Sequence, residues 1–229
     1  MNKMKVSEAR QAIAKVGNLM LQRNLTDLAG GNISIRTGDK IVISPSYAGT
    51  RKFWQLEAND VLVLDLAGNL LEGSGRISRE APAHIKLLKE FYPGGSAVIH
   101  AHARNVMVFC AAKQSIPPVL ENTCKFDEIK VVKYARGGTH SQKLADNIYA
   151  GLRGQEKRIA SSAAAVIAPW HGLFAVGRDI YSTLDAVERI EVNARCILMA
   201  ALLPGGAANL EKRRKELCRH LGKAYGEGE

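Results

Sequence analysis

A chain of 229 residues, 46% hydrophobic and 24% charged, has enough apolar material for one full core and excludes a disordered or fibrous protein. There is no apolar stretch of about 18 residues, so no transmembrane helix is expected, and the basic start Met1-Asn2-Lys3-Met4-Lys5 never reaches the apolar centre of a signal peptide. The net charge of +10 favours a small anionic substrate by raising its local concentration.

Residues from about Val6 to Arg23 place Ile13, Val16 and Met20 at helical spacing, with Ser7 as a cap. Short strands are expected at Ile33-Ser34-Ile35, Ile41-Val42-Ile43 and Val61 to Asp65, the last turning at Gly68-Asn69. Glu80 to Phe91 reads as a helix with Ser78 as its cap and Pro82 tolerated in the first turn. The run Ala97-Val98-Ile99 leads into a strand, followed by a helix over about Asn105 to Ala112. Ile129 to Val132 reads as another strand, and Thr139 as the cap of a helix running to about Leu152. The apolar runs Ala165 to Ala168 and Leu173 to Val176 suggest buried strands on either side of His171-Gly172. Ser182-Thr183-Leu184-Asp185 resembles a capping box for a long helix ending before Pro204, and a last basic helix ends in Tyr225-Gly226.

Helices and strands alternate without a strict βαβ repeat. The expectation is an α/β protein, a mixed central sheet covered by helices on both sides, in one domain over residues 1–229 with a basic C-terminal helix and tail from about 207. The run Lys212-Arg213-Arg214-Lys215 carries no interleaved aromatics, so it reads as a solvated helix face and nucleic acid is not the expected partner. Cys110, Cys124, Cys196 and Cys218 are scattered without a Cys-x-x-Cys pair, as in the reduced thiols of a cytoplasmic protein.

His100-Ala101-His102 is the most informative local feature. Along a strand its two imidazoles project from one face while Ala101 points to the other. Alone, such a pair is more often two satisfied or surface histidines than half of a metal site. Glu80 opens the helix before this strand, and His84 lies one turn further on the same helix face. His171 precedes a glycine at which the backbone can pass close to another group. Three histidines with an open fourth position form the ligand set of a catalytic zinc, and a carboxylate beside them supplies acid–base chemistry. His84 reads as a buried histidine orienting the site rather than a fourth ligand.

These pieces, taken in order, resemble the class II aldolase/adducin family, in particular its zinc-dependent fuculose-phosphate aldolase branch, over about Gly30 to Leu203. Gly30-Gly31-Asn32-Ile33-Ser34 is similar to the family's Gly-Asn-x-Ser loop, and Ser44-Pro45-Ser46 to the turn after it. Ser78-Arg79-Glu80 with His84 resembles the Ser-Ser-Glu…His segment. His100-Ala101-His102 and His171-Gly172-Leu173 match the two metal-binding stretches. Ser115-Ile116-Pro117 and Tyr134 to Thr139 match the landmarks between them.

The resemblance implies that His100, His102 and His171 ligate Zn2+, replaceable by Mn2+ or Co2+, and that Glu80 is the acid/base group. It implies that Asn32, Ser34, Ser46, Ser78 and Arg79 bind substrate and that Tyr225, in a C-terminal Tyr-Gly echo, donates a proton. The implied reaction is cleavage of a ketose 1-phosphate to dihydroxyacetone phosphate and an aldehyde through a metal-stabilised enediolate. A methylthioribulose-phosphate dehydratase, a pentulose-phosphate 4-epimerase, a sugar-acid phosphate decarboxylase and a non-catalytic adducin-like interaction module remain alternatives. The family commonly forms homotetramers.

The chain departs from the family at its phosphate end. Arg79 stands in place of the second serine, and Ser46-Tyr47 in place of a Thr-Gly pair. Arg79 offers a guanidinium fork to a phosphate or carboxylate, or lies in solvent. The family's tyrosine after Ser-Ile-Pro falls near Glu121, where no tyrosine is present, and the segment of about Glu121 to Lys133 is the expected lining of the aldehyde side.

Overall fold

The computed structural model describes residues 4–136 and 141–226, with residues 222–226 described by their backbone alone. Helix α1 (Val6–Gln22) buries Ala9, Ile13, Val16 and Met20 along one stripe, as its spacing predicts. On that stripe Gly17 leaves room for the Trp54 indole, which a Cβ would approach to 2.6 Å. Strands β1 (Asn32–Thr37) and β2 (Lys40–Ile43) form a hairpin, followed by α2 (Ala48–Lys52), β3 (Leu62–Asp65) and β4 (Leu70–Glu72). Then come α3 (Ala81–Glu90), β5 (Ala97–Ala101), α4 (Arg104–Ala112), a 3-10 turn over Glu121–Phe126, α5 (Gln142–Leu152) and α6 (Glu156–Ser161). A second hairpin, β6 (Ala163–Ala168) and β7 (Gly172–Gly177), turns at His171 and leads into α7 (Ile180–Ala200) and α8 (Gly206–Gly226).

The strands build one seven-stranded sheet in the order β4-β3-β2-β1-β5-β7-β6. Every pairing between these strands is antiparallel. Among the described residues, an isolated bridge from Val131 to Ile167 is parallel. Alternation along each strand splits the core in two. Ile33, Ile35, Ala97, Ile99 and Leu173 face α1, α4 and α7. Ile41, Ile43, Val98, Val166, Phe174 and Val176 face α3, α5 and α6. The α/β architecture with helices on both faces is therefore the one expected.

Several local expectations change. The cap of α5 is Ser141, whose side chain accepts from the Leu144 amide, and Thr139 lies outside the described residues. The long helix α7 is capped by Asp179, which accepts from the Ser182 amide, so Ser182 is a first-turn residue rather than the cap. Residues 129–132 make isolated bridges instead of a strand, because Ile129 pairs with Ile116 while Val131 reaches Ile167. The cap of α3 is Glu80, with Pro82 in the first turn. On α8, Arg213 pairs with Glu216, and Arg214 and Lys215 pair with Glu211, so the basic run is an ion-paired helix face. No helix among the described residues is long and apolar enough to cross a membrane.

Candidate metal centre

Antiparallel pairing brings the start of β1, the end of β5 and the start of β7 to one end of the sheet. Asn32 lies directly across from His100, and His100 across from Phe174. His171 stands in the turn just before β7, and the first turn of α3 lays Glu80 over the same end. Residues far apart in the chain thus meet because three strands share one register.

The His100 ring is fully buried and lies near-parallel to two neighbouring rings, Phe174 at 4.2 Å and His171 at 4.6 Å between centroids. His102 stands edge-on to His100 at 4.9 Å and lies 6.0 Å from His171. Among the described residues, Glu80, His100 and His171 offer ligand atoms that all lie within 4.8 Å of one another. Glu80 Oε1 is 3.0 Å from His171 Nε2, and Oε2 is 3.8 Å from His100 Nε2. The closer approach lacks hydrogen-bond alignment, and Nε2 of His100, His102 and His171 are all buried without a hydrogen-bond partner.

The other ring nitrogens explain this. His100 Nδ1 lies 3.0 Å from the Leu173 carbonyl, and His102 Nδ1 lies 3.2 Å from Asp27 Oδ2. A carbonyl and a carboxylate only accept, so both Nδ1 atoms carry the proton and both Nε2 atoms turn a lone pair inward. Buried imidazole lone pairs without a donor are costly unless a cation takes them. Burial, partly opposed by the Glu80 charge, holds His100 well below its ordinary pKa and therefore neutral.

Close backbone approach makes room for the rings. A Cβ on Gly30 would stand 1.9 Å from His102 Cε1, and one on Gly172 would stand 2.7 Å from His100 Cε1. The His171-Gly172 pair thus does what its sequence suggested. The donor set and the orphaned lone pairs fit a divalent cation of the zinc type.

Glu80 is opposed by burial first. The proximity of the His100 and His171 imidazoles and the hydrogen bond from Asn32 outweigh that burial and hold the carboxyl far below its usual range. Asn32 Nδ2 donates to Glu80 Oε2 and, at 3.1 Å, to Ser78 Oγ. The Glu80 amide donates to the same Ser78 oxygen at 3.3 Å. His84 lies behind this layer, fully buried, with Nδ1 2.7 Å from Ser34 Oγ.

Asn32, Ser46, Ser78, Arg79, Glu80, His102 and His171 line one cavity of about 380 Å³, facing the loop Pro45–Thr50. Ser34 is fully buried against His84 and does not line that cavity. The Tyr225 side chain lies outside the described residues. Glu121 lies elsewhere, in a groove with Cys124, Cys218 and Leu221 beside α8.

Sequence reasoning missed Asp27. Its Oδ1 accepts from the amides of Ala29 and Gly30, both at 2.8 Å, while Oδ2 holds His102. The only signal was an aspartate before a glycine-rich turn, which marks a turn but not its distant partner.

Residues 11–198 match the family described as "Class II Aldolase and Adducin N-terminal domain". A 5-deoxy-D-ribulose 1-phosphate aldolase from Bacillus thuringiensis is 25% identical over 194 residues, covering 84% of this chain and 85% of that protein. A methylthioribulose-1-phosphate dehydratase from Acidiphilium cryptum is 28% identical over 199 residues, covering 83% and 89%. The solved structure of an L-fuculose 1-phosphate aldolase superposes with a TM-score of 0.75 at 23% identity, over 93% of this chain and 97% of that one. That likeness is one of fold.

Proposed function

This chain belongs to the class II aldolase and adducin family, and on that premise we propose that it is a zinc-dependent aldehyde-lyase. Its substrate would be a ketose 1-phosphate, cleaved to dihydroxyacetone phosphate and an aldehyde. The observation that carries the reading is the approach of the orphaned Nε2 atoms of His100 and His171 to the Glu80 carboxylate, beside a cavity that His102 also lines.

His100, His102 and His171 would hold the ion, with Zn2+ replaceable by Mn2+ or Co2+. When bound, the ion supplies positive charge that polarises a carbonyl held in the cavity. Asn32 orients Glu80 and leaves Oε1 facing His171, so in the condensation direction the carboxylate is set to take a proton from the carbon beside that carbonyl, and in cleavage it returns a proton to the carbon freed by the breaking bond. Ser46, Ser78 and Arg79 lie where the phosphate end would be bound, with Ser34 acting indirectly through His84. Tyr225 is proposed as the group that takes the proton from the hydroxyl that becomes the aldehyde oxygen, and donates it in the reverse direction, reaching the cavity from a neighbouring copy in a homotetramer. The scattered thiols, none of them in a disulfide, support a cytoplasmic setting.

A dehydratase reading shares the same site and is supported by the similarity to the Acidiphilium protein. Epimerase and decarboxylase readings use the same donors. An adducin-like module without activity predicts an eroded site, and all four donors are present here. The deciding experiment is a panel of ketose 1-phosphates assayed for triose phosphate and aldehyde. Release of both supports the aldolase. Loss of water, inversion or release of carbon dioxide without carbon–carbon cleavage to triose phosphate would replace it.

A further inference from the structure

His171 differs from the other two histidines in how its ring is held. His100 and His102 each turn Nδ1 to a fixed acceptor, the Leu173 carbonyl and Asp27 Oδ2. Among the described residues, Nε2 of His171 has no hydrogen-bond partner and no acceptor takes its Nδ1. A metal-binding imidazole ordinarily donates its outer N–H to such an acceptor, and that bond sets the direction of the ring. For His171 the direction comes instead from the backbone that carries it.

That backbone is a tight turn. The His171 amide donates to the Ala168 carbonyl at 3.1 Å, closing a four-residue turn with Pro169 second and Trp170 third. Proline second and a positive φ third is the type II pattern, whose third position favours glycine or asparagine. Trp170 takes φ 60° there, a conformation that a bulky residue keeps only when its surroundings hold it. Its amide donates at 3.0 Å to the Cys110 carbonyl near the end of α4, and Lys113 Nζ, just past that helix, lies 3.7 Å from the centre of the indole. The Tyr134 ring meets the indole edge-on at 5.1 Å. Tyr134, Pro169 and His171 also share a hollow of about 10 Å³, too small to receive a swung imidazole. Trp170 and Tyr134 remain 54% and 51% exposed, so burial of apolar surface does not account for the pair. A turn with no task beyond reversing the chain is better served by glycine, which adopts a positive φ without strain. Because α4 begins two residues after His102, the indole also ties the His171 turn to the helix that follows a second candidate ligand.

We propose that Trp170, held by Lys113 and Tyr134, fixes the direction of the His171 ring in place of a hydrogen bond and so sets the affinity of the site for its metal. Trp170 is a positioning residue: it acts through His171 and does not touch the reacting atoms. The inference rests on the reading of His171 as a metal ligand and deepens it.

Trp170→Gly is the informative variant, because it removes the indole while relieving the backbone. Zinc affinity of the full-length protein is measured by chelator competition, and the visible spectrum of the cobalt-loaded protein reads ligand geometry. Trp170→Gly is expected to keep wild-type circular dichroism, bind zinc about tenfold more weakly and change the cobalt spectrum. Trp170→Tyr keeps a ring under the ammonium and should hold affinity within about twofold of wild type. Lys113→Asn tolerates the left-handed backbone without the cation and should fall between the two. Tyr181→Ala, removing an exposed aromatic just past the other end of β7, should change nothing. Wild-type zinc affinity in Trp170→Gly overturns the proposal, as does a loss in Trp170→Tyr equal to that in Trp170→Gly. Histidine-labelled protein without metal gives a second reading by NMR, with the His171 ring signal assigned through His171→Gln. One sharp signal is expected in wild type and a broadened or doubled one in Trp170→Gly. A His171 ring ordered by Trp170 in a protein that binds no metal supports the clamp and defeats the functional reading. Zinc binding by wild type that Trp170→Gly leaves unchanged defeats the clamp alone.

Discussion

Asp27 and His102, 75 residues apart in sequence, meet through a carboxylate oxygen 3.2 Å from Nδ1, and that contact decides which nitrogen of His102 faces the cavity. Asp27→Ala frees the ring to adopt either tautomer. Losses of about 10- to 100-fold in metal affinity are typical when such an orienting partner is removed. Competition with a chelator of known affinity measures it, and an affinity equal to wild type would show that the contact is incidental.

Gly30 sets the room available to His102. A methyl group there would overlap the ring, with Cε1 at 1.9 Å, Nδ1 at 2.3 Å and Nε2 at 2.4 Å. Gly30→Ala is therefore expected to displace His102 and cut metal affinity at least about tenfold, with far-ultraviolet circular dichroism unchanged. Gly154, against which nothing lies within 4 Å, is the control for adding a methyl to a glycine, although its φ of +89° carries its own strain.

Glu80 and the histidines should separate in their effects. His100→Ala or His171→Ala removes a buried lone pair and should lose metal and activity together. Glu80→Gln keeps an oxygen of similar shape but cannot take a proton, so turnover should fall by about 10² or more while metal is retained. Metal analysis and steady-state rates on the same preparations read both. A Glu80→Gln enzyme with wild-type turnover removes the carboxylate from the proposed chemistry.

His84 makes stability depend on pH. Burial, partly opposed by the Glu80 charge, pushes its imidazole from an ordinary 6.5 down to about 4. Above pH 6.5 neither folded nor unfolded chain holds a proton there, and His84 has no effect. Between pH 6.5 and about 4 the unfolded chain binds the proton and the folded one does not, so stability falls as pH falls. The loss from this group reaches about 3 kcal/mol at the low end, and His100 adds to it in the same direction. Denaturant unfolding of metal-free protein across this window should show the decline, with a shallower slope in His84→Gln. An unchanged slope would contradict the assignment.

Much of this was readable in the chain because it depends on short periods. The strand period placed His100 and His102 on one face, the helical period found α1, and cap and proline signals found α3 and α7. His171 before a glycine was legible because only glycine lets a backbone pass that close to a ring. Contacts set by register were not. The sheet order, the meeting of Asn32 with His100, and the hold of Asp27 on His102 come from pairing across long loops, which no local pattern encodes. Caps were misread where two candidates stood close together, as with Asp179 and Ser182.

His100, His102 and His171 are proposed to hold a divalent cation needed for carbon–carbon bond cleavage. Elemental analysis of purified protein, coupled to triose phosphate release before and after chelation, tests it most directly. About one equivalent of metal per chain, loss of lyase activity on chelation, and recovery with zinc, manganese or cobalt are expected. Protein without stoichiometric metal and without activity restored by any of the three would contradict it.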